Sequence, residues 1–273
     1  MPIHLRYDSV AFAQMTQPVL RAAASTDPGP VRRTNEDKYL IAPELCLFAV
    51  ADGMGGYHAG EVASKLALES LAGFIRRSFE DADCSWPYGI EPNLSMSGNR
   101  LHTAISLANR RVFREAESHD DYTGMGSTVA AVLCVGAVAI IGHVGDSRAY
   151  LFRNRSLSQL TQDDTWAVAM LAENPDGNAN VASHPFKHVL TNVLGSKERT
   201  SVHIAEHPVT AGDRLVLCSD GLHGVLPNNE LHTLLSDLAS QNSQDAAATL
   251  VREALARGTR DNVTAIVVDV QGS

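Results

Sequence analysis

With 273 residues, 44% of them apolar and 19% charged, the chain can bury a sizeable core, which excludes general disorder. A formal net charge of −9 and the lack of a basic cluster argue against a nucleic-acid partner. Cys46, Cys84, Cys134 and Cys218 show neither CxxC nor zinc spacing, and no apolar run is long enough to span a bilayer, so a reducing cytoplasm and no membrane span are expected.

Residues 1–20 read as an N-terminal arm or an extra strand, and residues 21–273 as a single domain. Leu20 to Ala24 is a strand running into the Pro28-Gly29-Pro30 turn. Lys38 to Ala42 and Leu45 to Asp52 make a hairpin around Pro43-Glu44. Val62, Leu66, Leu71, Phe74 and Ile75 fall at helical spacing and predict a helix over 60–77. After a loop over 81–98, rich in Pro, Gly, Ser and Asn, a second helix covers 101–117. Four short strands follow, at 127–134, 138–144, 148–152 and 157–160, joined by turn-compatible residues. The stretch 163–196 is irregular, with a helical piece over 166–171 and a flexible segment at 174–178. A buried strand at 214–218, helices at 229–239 and 244–256, and a strand at 263–270 complete the chain. Strands and helices come in blocks instead of alternating, which favours packed antiparallel sheets with helices outside.

Several acidic motifs stand where these strands end. They are Thr34-Asn35-Glu36-Asp37, Ala51-Asp52-Gly53-Met54-Gly55-Gly56, Gly145-Asp146-Ser147-Arg148, Ser219-Asp220-Gly221 and Asp261-Asn262. Each alone reads equally well as a turn, since Asp-Gly and Asp-Asn are common turn dipeptides. Together they suit Mg²⁺ or Mn²⁺, hard cations that take oxygen ligands and keep waters. In that arrangement Asp52 bridges two ions, with Asp220 and Asp261 completing one shell. Glu36 and the Gly53 carbonyl complete the other, and Asp37 acts through a water. A water held between the two ions would attack phosphorus in line, with no covalent enzyme intermediate.

Arg32, four residues before Glu36, offers a planar fork for two phosphate oxygens. Asp146 has two even readings: a ligand, with Asp220, of an additional weaker cation, or a turn aspartate paired with Arg148. Thr128 is placed to support the carboxylates by hydrogen bonding. His58, just past the glycine turn, is a candidate general acid for the leaving alkoxide, and a helix-start role fits it equally. The other histidines, His188, His203 and His223 among them, read as surface or core residues.

The chain resembles the metal-dependent serine/threonine protein phosphatases of type 2C, the PPM family, in its bacterial branch. The resemblance runs from about Ala23 to Val270 on TDPGPVRRTNED (26–37), VADGMGGYHAGEVAS (50–64), GMGSTVAAVL (124–133), GHVGDSRAYLFR (142–153), HVLTNVLGS (188–196), LVLCSDGL (215–222) and RDNVTAIVV (260–268). It implies an α+β fold, a four-layer α-β-β-α sandwich of two antiparallel sheets flanked by helix pairs, with metals in a cleft at one edge. It further implies hydrolysis of phosphoserine and phosphothreonine with two Mn²⁺ or Mg²⁺, and a third linked to Asp146. Carried across, Asp52, Asp220 and Asp261 match the metal aspartates and Gly53 the carbonyl ligand, while Glu36 and Asp37 match the acidic pair and Arg32 the phosphate-binding arginine. Tyr57 takes the position where bacterial relatives often carry histidine, with His58 following, and 163–196 corresponds to the variable flap. The expected partners are phosphorylated protein substrates of a Ser/Thr kinase, met by a monomer without nucleic acid or membrane. The alternatives are a non-catalytic phosphoprotein-binding module of the same fold, or a two-metal hydrolase of another phosphoester.

Overall fold

The computed structural model describes residues 19–56, 58–81, 83–173, 181 and 184–272. Its strands are β1 (Val19–Asp27), β2 (Asp37–Ala42), β3 (Leu47–Met54), β4 (Gly126–Ser127), β5 (Val129–Val135), β6 (Val138–Val144), β7 (Arg148–Arg153), β8 (Ser156–Gln159), β9 (His203–Pro208), β10 (Arg214–Cys218) and β11 (Val263–Gln271). The helices are α1 (Ala59–Glu80), α2 (Met96–Ser118), α3 (Trp166–Glu173), α4 (Asp220–His223), α5 (Asn228–Asp237) and α6 (Ser243–Ala256). One sheet runs β1-β11-β10-β7-β8 and the other β2-β3-β5-β6-β9, with β4 beside the end of β3. All these pairings are antiparallel.

Side-chain alternation explains the layers. Along β3, Leu47, Ala49 and Ala51 face α1 and α2, whereas Phe48 and Val50 face the other sheet. Along β11, Val263, Ala265 and Val267 face α5 and α6, and Ile266, Val268 and Val270 face inward. Both faces of the central strands are therefore buried, and they read as continuous apolar runs in the sequence. The result is the expected four-layer arrangement, α1/α2 on one side and α4–α6 on the other. Ser95 caps α2 by accepting the Gly98 N–H at 3.0 Å, and Asn242 caps α6 through the Asp245 N–H at 2.9 Å.

Three expectations change. The β2–β3 hairpin turns through a 3-10 segment, Pro43–Leu45, with Cys46 left-handed at φ 50°, so β3 starts at Leu47. The strand foreseen at 127–134 divides at Thr128: Ser127 pairs with Gly53, and β5 pairs with β6. Strand β9 was not foreseen. It is a sheet edge with a largely polar, half-exposed sequence ending in Pro208, so it lacks the apolar alternation of an inner strand. Most of the expected N-terminal arm and the 174–178 segment lie outside the described residues, while Val19 and Leu20 already belong to β1. Among the described residues no helix is long and apolar enough to cross a membrane.

Candidate metal centre

The sheet register brings the acidic motifs to one edge of the sandwich. Asp37 opens β2 directly opposite Asp52 near the end of β3. Cys218, the last residue of β10, pairs with Ala265 near the start of β11, so Asp220 and Asp261 emerge at the same end. Arg148, the first residue of β7, pairs with Cys218 on its other side and brings Asp146 there as well. Asp146, Asp220 and Asp261 line one cleft of about 1020 Å³ with Arg32, and Asp52 lies near enough to feel the charges of all three.

Glycines allow this crowding. A Cβ on Gly53 would sit 1.9 Å from the Gly60 carbonyl oxygen, so the first turn of α1 lies directly on the Asp52-Gly53 step. A Cβ on Gly221 would sit 2.0 Å from the Asn262 oxygen, which packs the Asp220 turn against the Asp261 turn. Both clashes are with backbone, which cannot swing aside as a side chain would.

Burial and mutual repulsion dominate the electrostatics. Desolvation pushes Asp37 up to about 7, although Ser219 Oγ and Thr264 Oγ1 each donate to its Oδ2 at 2.7 Å. Asp146 is also pushed up to about 7, by burial and then by the charges of Asp220 and Asp163. Asp52 is raised well above the usual carboxylate range by burial and by Asp37, Asp220, Asp146 and Asp261. Asp220 and Glu36 are raised too, burial being the main cause in each. Asp37 Oδ1 and Asp220 Oδ1 are buried without any hydrogen-bond partner. Unpaired buried carboxylate oxygens among acids that raise one another's pKa fit divalent cations in that place. Among the described residues no three acidic, histidine or cysteine side chains already close on a single point. Mg²⁺-type sites use few carboxylates per ion and fill the remaining positions with water and carbonyl oxygen, so a finished cage is not required.

Each residue singled out in the sequence has a definite place. Arg32 Nη2 donates to Asp261 Oδ2 at 2.7 Å and is half-exposed at the cleft, its pKa raised chiefly by that bond. The Glu36 carboxyl group lies against Gly60, and the Glu36 carbonyl accepts from the Gly53 N–H at 3.2 Å and Ser64 Oγ at 2.6 Å. Thr128 acts on backbone: its Oγ1 accepts the Asp52 N–H at 3.1 Å and its own N–H donates to the Asp52 carbonyl at 2.8 Å. His58 is exposed at the N-cap of α1, left-handed at φ 69°, makes no side-chain cap and lies near enough to Glu36 to lower its pKa. The Asp146–Arg148 pairing is not made. Arg148 instead forks onto Asp163 at 2.8 and 2.7 Å, because β8 carries Asp163 back alongside β7 where both carboxylate oxygens face the guanidinium.

The structure adds residues to which the sequence reading gave no role. Asn262 accepts the Glu36 N–H at 2.8 Å and donates to Pro28 and Thr34 carbonyls at 2.9 and 3.0 Å, clamping the loop that carries Arg32. Ser219 and Thr264 orient Asp37. A threonine within the apolar run 263–268 was the available signal, since a buried hydroxyl needs a partner. His223 also lines the cleft, which nothing in its sequence position suggested.

A family model described as protein phosphatase 2C matches residues 33–257. The chain belongs to the protein phosphatase 2C family. It is 36% identical over 252 residues to the serine/threonine protein phosphatase PstP of Mycobacterium tuberculosis, covering 92% of this chain and 45% of that protein. It thus spans less than half the length of PstP. It is 31% identical over 257 residues to the serine/threonine phosphatase stp of Listeria welshimeri, covering 92% of this chain and 96% of that one. The crystal structure of the PstP catalytic domain in complex with two manganese ions aligns with a TM-score of 0.74 at 33% identity, over 93% of this chain and 99% of that chain. The bacterial type 2C resemblance and the α-β-β-α sandwich are therefore both borne out.

Proposed function

We propose that this protein phosphatase 2C-family chain is an active, Mn²⁺- or Mg²⁺-dependent phosphatase of phosphoserine and phosphothreonine in proteins. The observation that carries the reading is the gathering of Asp146, Asp220 and Asp261 beside Arg32 in one cleft, with Asp37 and Asp52 near enough to feel the Asp220 and Asp261 charges and two buried carboxylate oxygens unpartnered. Asp52, Asp220 and Asp261, with Glu36, Asp37 and the Gly53 carbonyl, would hold two ions, and Asp146 a third. Bound there, such ions supply Lewis-acid charge and lower the pKa of coordinated water.

The chain's own groups do the remaining work. Arg32 presents a fork that grips two phosphate oxygens, and its bond to Asp261 aims that fork before substrate arrives. Asp37 is fixed by a one-way relay of donors: Asn35 Nδ2 to Thr26 at 2.8 Å, Thr26 to Thr264 at 2.7 Å, and Thr264 to Asp37 at 2.7 Å. His58, exposed and near Glu36, would be the candidate to deliver a proton to a leaving alkoxide, with solvent water as the other donor. The described cleft lining contains no cysteine or serine, and the Cys134 and Cys218 thiols are buried and pushed up to about 12, in keeping with direct displacement by water. Substrates would be phosphoproteins made by a Ser/Thr kinase, acted on in the cytoplasm by a monomer.

The test is hydrolysis of a phosphothreonine peptide by purified protein with Mn²⁺, lost in Asp220→Asn. Activity that persists unchanged in chelator would sink the reading. Tight phosphopeptide affinity without divalent-ion uptake would point to a non-catalytic binding module instead.

A further inference from the structure

The ladder between β7 and β10 ends at the pair Arg148–Cys218. Asp146 and Asp220 each lie a short step past that end, where ladder hydrogen bonds no longer hold the two chains together. Both line the cleft, and once ionised each would resist the other's charge. Like charges at the frayed end of a ladder separate unless something ties them.

His223 makes that tie. Its Nε2 lies 3.0 Å from the Asp146 carbonyl oxygen, and because a carbonyl only accepts, Nε2 carries the proton. His223 is also the last residue of α4, the turn that Asp220 begins. The Gly224 N–H donates to the Asp220 carbonyl at 2.8 Å and the Leu222 N–H to the Ser219 carbonyl at 3.3 Å, so the ring's reach is fixed from Asp220's own backbone. The other anchors of the Asp146 turn lead away from Asp220. The Gly145 N–H donates to Asp164 Oδ2 at 2.9 Å, and Ser147 Oγ lies 2.7 Å from Thr128 Oγ1, the residue bound to the Asp52 backbone. Among the described hydrogen bonds, the one from His223 joins the Asp146 turn to the Asp220 turn. Burial, reinforced by the Arg148 guanidinium, keeps the ring neutral, so it adds no positive charge beside a cation.

We propose that His223 is a positioning residue that sets the spacing of Asp146 and Asp220, and through it the affinity for the additional divalent cation those two carboxylates would share. It does not set the affinity for the pair gathered around Asp52. This inference rests on the metal-centre reading above. Groups that orient metal ligands without touching the ion typically control affinity by 10–100-fold.

The experiment is calorimetric titration of the metal-stripped full chain with Mn²⁺, for wild type, His223→Ala and His223→Gln. Wild type is expected to show a tight class of ions and a weaker one. His223→Ala should weaken the weaker class about 10-fold or more and leave the tight class within about twofold. His223→Gln, whose amide can donate to the same carbonyl, should recover most of the loss. Circular dichroism and melting confirm that each variant folds. Where the alanine variant does not, His223→Gln against His223→Asn carries the comparison, since the shorter amide cannot reach. An unchanged weaker class, an equal loss in both classes, or no recovery with glutamine overturns the proposal. If wild type takes up two ions only and still hydrolyses phosphopeptide, this inference alone fails. If it takes up none and hydrolyses nothing, the metal-centre reading fails with it.

Discussion

Asn262→Ala probes how the cleft is held together without removing any proposed ligand. The side chain is buried and makes three hydrogen bonds to backbone, one from the Glu36 N–H and two to the Pro28 and Thr34 carbonyls. Each is worth about 0.5–1.5 kcal/mol net, and alanine leaves the backbone groups without partners, so a loss of about 3 kcal/mol is expected. In a domain of this size, about 1 kcal/mol moves the melting temperature by roughly 2–4 °C, which places the variant roughly 6–12 °C below wild type. The clamped loop carries Arg32 and Glu36, so KM for a phosphothreonine peptide should rise as well. Asn262→Asp should not rescue, because a carboxylate keeps the acceptor but turns negative charge toward two carbonyl oxygens. Thermal and urea unfolding, with steady-state kinetics at saturating Mn²⁺, read both effects. A variant that melts within about 1 °C of wild type would show that solvent replaces these bonds at no cost, and the clamp argument would be wrong.

Metal removal should matter more as pH rises. Asp37 and Asp146, both pushed up to about 7 by burial, hold protons in the folded metal-free chain that the unfolded chain releases near pH 4. Their contribution to metal-free stability is therefore full at low pH and lost as pH rises through about 4 to 7. His223, held near 4 by burial, opposes this over part of the same range, so the diagnostic is a difference. The gap in melting temperature between Mn²⁺-loaded and EDTA-treated protein should widen from pH 5 to pH 8, and a constant or shrinking gap would contradict the assignment. Arg32→Ala should lower kcat/KM by roughly 10–100-fold, the scale of a charge-assisted hydrogen bond, and Arg32→Lys should recover little because a point charge cannot fork. Equal activity in all three proteins would remove Arg32 from phosphate binding. Arg148→Met should destabilise by about 1.5–3 kcal/mol by stranding the partly buried Asp163 carboxylate, whereas pairing it with Asp163→Leu should restore much of the loss. Denaturant titration separates the two, and equal losses would show that the ion pair is not the unit that matters.

The inner strands and long helices were legible because they obey short-range rules. The β6 and β10 runs are apolar over the length of a strand, and α1 carries its apolar residues at helical spacing. Strand β9 escaped because an edge strand with His203, Glu206 and His207 needs no apolar alternation; its pairing partner β6 defines it. The acidic motifs were legible for a different reason. An aspartate at a strand end followed by glycine is visible letter by letter, and several in one chain are hard to explain as separate turns.

The sequence by itself determined which carboxylates were available, that glycines stood beside Asp52 and Asp220, and that the strands between them would be buried on both faces. What only the tertiary structure decided is which groups meet. Arg148 could have paired with Asp146 by proximity in the chain, but the β7–β8 hairpin delivers Asp163 instead. Asn262, Thr264 and Ser219 are ordinary strand-end residues until Glu36 and Asp37 arrive from more than 180 positions away in the chain. His223 carried no signal at all, because its role exists only where the ends of β7 and β10 lie side by side. A hydrogen bond acts over about 3 Å, and a pattern along the chain cannot specify distances of that order between residues so far apart.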